Sequence, residues 1–536
     1  MAPPAMAEAG GLRAGPVVAT SEGRIRGSYS DRAVKFLGVP YAEPPVGPLR
    51  WQPPRNHKPW TGVRDATRFG SICALTTTLG VFSGPRNDNE DCLHLNVFTP
   101  SLKSSAHLPV IVYIHGGGNY DGETKGLDGG HLASNGNIVV VTVEYRLNLF
   151  GFLAHPALDS EGHPFANYGI LDQQAALKWV RRNIDKFGGN RNNVTVAGQS
   201  SGAVDTMINI VSPGAVGLFH RAICQSACLA TYPLAKKEAA EVIGVSFAEA
   251  AGCGSGTGPA VAQCLRSLPA SKIEELAGTA IAPSKYVIGT GIVDGEIIPD
   301  QPLTLFRGNR FNHVPMMNGF TTDEVNFTLA IREYWSNADN ALRSPVGVAD
   351  YQDYVSSYFT PPSYAVGTAP KVLALYPVDG STSPQLAWNR ATSDARACDV
   401  RSLARILAPK IPVYVYEFAD KAAPSYFPDM PSMVMGAYHT ADIQYLFPSW
   451  HGGPEGIRRP LSSQQTLLSA QIIASWSNFA RTGNPNVPGK HVWASYSNEP
   501  DAPAWMVQDL PGQMAVTDDI FSLRHRCPFW DAALTN

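Results

Sequence analysis

The chain has 536 residues, of which 44% are hydrophobic and 16% are charged, and its formal net charge is −3. This balance is typical of a globular protein with a large core, and it gives no electrostatic reason to expect binding to nucleic acid or to an anionic membrane. No stretch approaches the roughly 18 to 20 consecutive apolar residues of a membrane helix, so we predict no integral membrane segment. Residues 1–15 are rich in Ala, Gly and Pro and have no leader pattern; we interpret them as a flexible tail, with no signal peptide visible.

The first informative element is a run of apolar residues from Leu108 to Ile114, which predicts a buried strand. It ends directly in His-Gly-Gly-Gly at positions 115–118. A motif of this kind supplies backbone N–H groups to a developing oxyanion. We expect His115 itself to pack and hydrogen-bond rather than to take part in chemistry.

Strands and helices alternate through the first half of the chain, which favours a mostly parallel sheet covered by helices on both faces. Strands are predicted at 138–143, 193–197, around 314–317 and at 413–416. Two helices are predicted from apolar stripes, one formed by Ala176, Val180, Ile184 and Phe187 and one formed by Leu468, Ile472, Trp476 and Phe479. Gly188 and Gly483 are the predicted helix ends.

The strand at 193–197 runs into Gly198-Gln199-Ser200-Ser201-Gly202, and a helix can start behind it. G-x-S-x-G between a strand and a helix is the nucleophile elbow, a turn so tight that only glycine fits at its flanks. Alone, this pattern is weak because glycine and serine are common. Together with the upstream His-Gly-Gly-Gly motif, in the expected order and after a predicted strand, it indicates a serine hydrolase.

A serine hydroxyl needs a neighbouring histidine as base and a carboxylate that orients the histidine. In hydrolases with this elbow the acid and then the histidine follow the serine. Among the later histidines, His439 lies in a small-residue loop and is favoured, whereas His451 is interpreted as an exposed turn residue. The acid is expected at Asp323 or Glu324, and their positions alone do not separate the two.

Several further segments, spread over the chain, carry a family resemblance. They are Phe36-Leu37-Gly38-Val39-Pro40-Tyr41-Ala42, Glu90-Asp91-Cys92-Leu93-His94-Leu95-Asn96-Val97, Asn148-Leu149-Phe150-Gly151-Phe152-Leu153 and Asn167-Tyr168-Gly169-Ile170-Leu171-Asp172-Gln173. From about Val18 to Trp530 the chain resembles the type-B carboxylesterases of the cholinesterase/lipase family, which have the α/β-hydrolase fold.

The resemblance implies a catalytic triad of Ser200, Glu324 and His439. It also implies an oxyanion hole formed by the backbone N–H groups of Gly117, Gly118 and Ser201. We therefore expect one α/β-hydrolase catalytic domain over residues 16–536, with cap and gorge insertions at about 234–301 and 327–435. The expected partner is a small-molecule ester, without a cofactor, a metal or nucleic acid, and the oligomeric state is left open.

The eight cysteines show no zinc-site spacing. The resemblance implies three disulfides, Cys73–Cys92, Cys253–Cys264 and Cys398–Cys527. The favoured interpretation of Cys224 and Cys228 is two buried thiols, with a local bridge as the alternative. Because disulfides persist in oxidising compartments, we expect a secreted or periplasmic protein.

Departures from the family pattern bear on the substrate. Gln199 stands where the family most often has Glu, Ser201 where it has Ala, and Asn119 then Tyr120 where an aromatic residue usually follows the glycines. We expect Asn119, Tyr120, Gln199 and Phe82 to contact substrate. The first disulfide loop has only Phe82 and no tryptophan to bind choline, which argues against acetylcholine. The prediction is a carboxylesterase for short-to-medium-chain or small-alcohol esters; the alternatives are a triacylglycerol lipase and a non-catalytic relative.

Overall fold

The computed structural model describes residues 15–30, 33–75, 85–278, 285–335, 345–430, 432–489, 492–499 and 501–535. Residues 1–14 of the expected tail lie outside this range, as does Phe82. The described strands are β1 Val17–Ala19, β2 Arg24–Arg26, β3 Ser28–Tyr29, β4 Val34–Pro40, β5 Val63–Asp65, β6 His94–Thr99, β7 Leu108–Ile114, β8 Val139–Val143, β9 Gly189–Gln199, β10 Arg221–Gln225, β11 Ala235–Lys236, β12 Ile292–Val293, β13 Met316–Thr321, β14 Val413–Phe418, β15 Trp505–Asp509 and β16 Gly512–Val516.

The described helices alternate with these strands. They are α1 Gly130–Gly136, α2 Asn148–Gly151, α3 Pro156–Asp159, α4 Tyr168–Asn183, α5 Ser201–Val211, α6 Lys237–Ala250, α7 Pro259–Ser267, α8 Ala270–Ala277, α9 Pro302–Arg307, α10 Asn326–Trp335, α11 Val348–Tyr358, α12 Thr368–Leu375, α13 Pro384–Leu407, α14 Ile443–Leu446, α15 Ser463–Thr482, α16 Asp518–Arg524 and α17 Cys527–Ala533. No helix in the described ranges is both long enough and apolar enough to cross a membrane.

Eleven strands form the central sheet in the order β16-β15-β14-β13-β10-β9-β7-β8-β6-β4-β3. The seven neighbours from β15 to β8 pair in parallel, and the remaining pairs at both edges are antiparallel. Every residue of β7, β8, β13 and β14 is buried. Parallel strands that are covered on both faces are rich in apolar residues for this reason. The mostly parallel sheet expected from the sequence is confirmed.

Two hydrophobic clusters lie on opposite faces of the sheet. Along β7, Val110, Val112 and Ile114 belong to one cluster, and Ile111 and Tyr113 belong to the other. Successive side chains of a strand point to opposite faces, so a single strand contributes to both. The first cluster includes side chains from α4, α5 and α13, and the second includes side chains from α1 and α15.

Both helices predicted from apolar stripes are confirmed. The first stripe lies on α4 and on a 3₁₀ turn that continues to Phe187, and all four of its side chains are buried. The second lies on α15, which ends where Gly483 adopts a left-handed φ of 82°. That conformation is the usual helix stop and is open to glycine without steric cost.

The sheet positions the loops that follow its central strands. From β7 the chain crosses to β8 on one side, and from β9 it crosses to β10 on the other. Open α/β sheets bind ligands at the carboxyl edge where the crossover direction changes. The His-Gly-Gly-Gly motif follows β7, the elbow follows β9 and Glu324 follows β13, so all three meet at this edge.

The two expected insertions contain more regular secondary structure than the sequence suggested. Residues 234–301 contain α6, α7, α8 and the small parallel sheet of β11 and β12. The range 327–435 is not one insertion, because it contains β14, a strand of the central sheet between β13 and β15. The excursion from the sheet therefore ends before Val413.

The structure forms the three disulfides that the resemblance implies, and a fourth between Cys224 and Cys228. The favoured interpretation of this last pair as thiols was wrong. Cys224 lies on β10, and the chain turns just after it at Ser226, whose φ is 58°. The turn brings the two Cα atoms to 5.9 Å, a separation that a disulfide spans.

Candidate active site

Ser200 lies between β9 and α5 with φ 57° and ψ −127°, a backbone conformation that is rare for residues other than glycine. The flanking glycines make the turn possible. A Cβ added to Gly198 would lie 2.1 Å from the Gly202 carbonyl oxygen, and one added to Gly202 would lie 2.2 Å from the Ile114 carbonyl oxygen. The elbow therefore requires glycine at both positions because backbone occupies the space of a side chain.

Three side chains from distant parts of the chain form one line of hydrogen bonds. His439 Nε2 lies 2.8 Å from Ser200 Oγ, and His439 Nδ1 lies 2.5 Å from Glu324 Oε2. This geometry lets the imidazole accept the serine proton on one nitrogen while the carboxylate holds the proton on the other. The three residues that the sequence and the resemblance predicted are thus brought together.

The structure shows which of the adjacent carboxylates Asp323 and Glu324 contacts the histidine, a choice that the residue pattern left open. Asp323 instead accepts hydrogen bonds from Lys421 Nζ at 2.6 Å and from the Ala437 N–H at 2.8 Å. These contacts fasten the end of β13 to the loop that carries His439. Of the two carboxylates, Glu324 is the one that hydrogen-bonds to the imidazole, and Asp323 has a structural position.

Glu324 is fully buried and remains anionic. Its Oε1 accepts the Thr321 N–H at 2.9 Å, and its Oε2 accepts Arg396 Nη1 at 2.9 Å as well as the histidine. Burial alone would raise the pKa of Glu324, but His439 and Arg396 outweigh burial and lower the pKa to about 2. The carboxylate is ionised throughout the range in which an imidazole titrates.

Gly117, Gly118 and Ser201, the residues expected to form the oxyanion hole, line the same cavity as Ser200. Among the described residues, none of these three amides donates a hydrogen bond to a protein acceptor. Gly117 has a φ of 124°, and an added Cβ would lie 2.2 Å from the Asp121 carbonyl oxygen. Backbone donors held in a fixed loop can receive an oxyanion without reorganisation.

Asn119 does not line this cavity, in contrast to the expectation of a substrate contact. It is fully buried, and its amide donates to Asp205 Oδ1 at 3.1 Å and accepts from Tyr145 Oη at 3.1 Å. Its main-chain N–H donates to Ser201 Oγ at 3.1 Å. Asn119 therefore holds the glycine loop against the first turn of α5.

Gln199 also lies behind the cavity wall and not on it. Its side chain is buried, and Nε2 donates to the His439 carbonyl oxygen at 2.8 Å. The residue that precedes the serine therefore positions the histidine loop. Of the four expected substrate contacts, Tyr120 lines the cavity and Phe82 lies outside the described residues.

The cavity has a volume of about 620 Å³, and Ser200 and His439 are among the residues that line it. Its wall is mostly apolar, with Val204, Leu229, Tyr232, Phe327 and Ile331 among its side chains. This size is within the usual range of small-molecule sites. No group of three or more His, Cys, Asp or Glu side chains in the described ranges is arranged to hold a metal.

Arg396 is a cavity residue that sequence reasoning missed. It lies on α13, 72 residues after Glu324, and no motif marks it. Its contact with the carboxylate arises only because α13 packs against β13. A spacing argument cannot find such a pair.

The chain is similar to known carboxylesterases in sequence and in fold. The sequence profile of the carboxylesterase family matches residues 14–519. An acylcarnitine hydrolase from Mus musculus is 32% identical over 497 residues, which cover 90% of this chain and 85% of that protein. A cocaine esterase from Homo sapiens is 32% identical over 543 residues, which cover 97% of this chain and 92% of that protein. The crystal structure of a carboxylesterase from Geobacillus stearothermophilus superposes with a TM-score of 0.76 at 28% identity, covering 96% of this chain and 99% of the other.

Proposed function

The chain belongs to the carboxylesterase family and is a carboxylic ester hydrolase with the α/β-hydrolase fold, and from this premise we propose that it acts through a covalent acyl-enzyme on Ser200. The observation that carries the proposal is the hydrogen-bonded line from Ser200 through His439 to Glu324 at the wall of the 620 Å³ cavity. A non-catalytic relative has no need of all three groups at hydrogen-bonding distance.

The reaction takes place in two halves. Ser200 Oγ attacks the ester carbonyl carbon while His439 Nε2 takes the hydroxyl proton. The N–H groups of Gly117, Gly118 and Ser201 stabilise the oxyanion. The tetrahedral intermediate collapses, and the alcohol leaves with the proton from Nε2. Water then attacks the acyl-enzyme with the same base, which releases the acid and restores the serine.

The proposed substrates are esters with short-to-medium acyl chains or small alcohols. The cavity volume and the mostly apolar wall support this size class. The loop that would carry an apolar lipase lid falls partly in residues 76–84, outside the described ranges. The chain-length profile of hydrolysis separates an esterase from a lipase.

The test is hydrolysis of p-nitrophenyl esters from acetate to palmitate by the wild type and by Ser200→Ala. We expect the highest rates on the shorter chains and their loss in the variant. His439→Gln is the second variant, and His451→Gln, at the other histidine weighed in the sequence, is its matched control and should keep wild-type rates. Equal rates in the wild type and Ser200→Ala would overturn the proposal, and a preference for emulsified palmitate would favour a lipase.

We also propose that the protein matures in an oxidising compartment, either outside the cell or in a periplasm. All eight cysteines are paired in four disulfides, and such bridges are rare where thiols are kept reduced. Thiol titration of the denatured protein, purified from its native source, should find no free thiol before reduction. Free thiols in the untreated protein would contradict this localisation.

A further inference from the structure

Two cationic or potentially cationic groups share one oxygen of the Glu324 carboxylate. His439 Nδ1 and Arg396 Nη1 lie 2.5 Å and 2.9 Å from the same Oε2. The other oxygen is occupied by the Thr321 N–H. The guanidinium is therefore in direct contact with the group that must stabilise an imidazolium during turnover.

We propose that Arg396 is a positioning residue that holds the Glu324 carboxylate for His439 and weakens the stabilisation of the protonated histidine, so that the enzyme keeps its base free at lower pH. The proposal rests on the function proposed above. It assigns to Arg396 a role in the reaction and not only in the fold.

The contacts of Arg396 and Thr321 fix the orientation of the Glu324 carboxylate. The Arg396 side chain is 28% accessible and lies on the cavity wall, while the Glu324 side chain is completely buried. With Thr321 on one oxygen and Arg396 on the other, the carboxylate has little freedom to rotate. Charge-assisted hydrogen bonds of this kind give both strength and orientation. The carboxylate thus presents Oε2 to the imidazole in one fixed direction.

The positive charge of Arg396 also lies close to the imidazole of His439. Because both nitrogens contact one oxygen, Arg396 Nη1 and His439 Nδ1 are at most about 5.4 Å apart. Two positive charges at such a distance repel each other, and a partly buried site screens the repulsion less than bulk water does. The arginine charge opposes proton uptake by the histidine, whereas the carboxylate favours it.

Other titratable groups surround this pair. In the part of the chain that the structure describes, the groups that interact electrostatically with Arg396 or Glu324 include Tyr232, Tyr358, Tyr364, Asp399, Tyr416 and Asp442. Burial raises the pKa of Asp399 to about 6 and that of Asp442 to about 7. Both acids remain when Arg396 alone is replaced, so a comparison of variants isolates the guanidinium.

The experiment compares the pH dependence of kcat/KM for a p-nitrophenyl ester in the wild type, Arg396→Gln and Arg396→Lys. The matched control is Arg390→Gln, which removes an exposed cation from the same helix. In Arg396→Gln we expect the midpoint of the acid limb to move up by about 1 pH unit, which is about a tenfold loss on that limb. Arg396→Lys should restore the midpoint toward the wild-type value, and Arg390→Gln should leave it unchanged.

An acid limb in Arg396→Gln that coincides with that of the wild type, or moves no further than in Arg390→Gln, would overturn the proposal. Thermal unfolding accompanies each profile, and Arg396→Met replaces the glutamine variant if that variant does not fold. Failure of both neutral variants to fold, while Arg396→Lys folds, would assign Arg396 to the fold and also overturn the proposal. An active wild type with an inactive Ser200→Ala keeps the proposed function in place in either case.

Discussion

The main-chain N–H of Asn119 donates to the side-chain hydroxyl of Ser201 at 3.1 Å, and this bond joins the glycine loop after β7 to the first turn of α5. The two halves of the proposed oxyanion hole come from segments 82 residues apart. A hydrogen bond across their junction fixes the distance between the donors. Such preorganisation contributes to rate because no reorganisation accompanies charge development.

We predict that Ser201→Ala lowers both stability and turnover. The buried Asn119 N–H loses its acceptor, which costs about 1 to 3 kcal/mol of unfolding free energy. The loosened loop should lower kcat several-fold with little change in KM. The control is Ser477→Ala, because the Ser477 hydroxyl is also buried but has no hydrogen-bond partner within the described part of the chain. Equal stability and kcat in the two variants would show that the bond is unimportant.

Gly117→Ala should cripple turnover. The added Cβ collides with the Asp121 carbonyl oxygen, and the φ of 124° is unfavourable for alanine. Displacement of one oxyanion donor typically lowers kcat by about 10² to 10³. The control is Gly162→Ala, since Gly162 also has a positive φ of 78° but has no atom within 4 Å of an added Cβ. A near-normal kcat for Gly117→Ala would remove this loop from the mechanism.

Glu324→Gln should lower kcat by about 10³ to 10⁴ because the amide no longer fixes the imidazole tautomer or balances its charge. It also leaves the Arg396 cation without its anionic partner. Asp323→Asn is the control at the adjacent position and should lower stability more than kcat, because Asp323 accepts from Lys421 and Ala437. Steady-state kinetics with thermal unfolding distinguishes the two effects. A larger kcat loss in the Asp323 variant would reassign the acid.

We predict that the protein loses free energy of unfolding at alkaline pH because the buried His525 loses its proton there. Burial lowers the pKa of His525, but its ionic contacts with Asp394 at 2.9 Å and Glu417 at 3.3 Å outweigh burial and raise it to about 9. The unfolded value is about 6.5, so the stabilisation is complete below pH 6.5 and disappears as the pH rises through 9. The shift corresponds to roughly 3 kcal/mol.

Urea unfolding should therefore show that the free energy of unfolding of the wild type falls between about pH 6 and 10. This decrease should be larger than the decrease in His525→Gln by roughly 3 kcal/mol. His451→Gln should follow the wild type. The same pH dependence in wild type and His525→Gln would contradict the protonated, ion-paired state of His525.

The four disulfides should contribute unequally to stability. Cys398 and Cys527 are 129 residues apart, whereas Cys224 and Cys228 are separated by only 4. On the chain-entropy model, the long loop contributes about 5 kcal/mol and the short loop about 2 kcal/mol. Chemical unfolding of the two double serine variants measures the difference. A greater loss from the Cys224/Cys228 variant would show that strain or packing outweighs loop entropy.

The sequence by itself determined the local features of this protein. Each of these features depends on neighbours within a few positions of the chain. They are the apolar run before the glycine motif, the β-branched strand before Ser200 and the apolar stripe that ends at Gly483, and each forms the predicted element. The resemblance to a family added Glu324 and three of the four disulfides, which local patterns alone did not specify.

Only the tertiary structure decided which polar groups face the cavity and which stand behind it. Asn119 and Gln199 lie next to motif residues in sequence, but the packing of β7, β9 and α5 turns both away from the cavity. Arg396 reaches Glu324 across 72 residues. The direction of a side chain depends on contacts between segments that are distant along the chain, and a single sequence does not record those contacts.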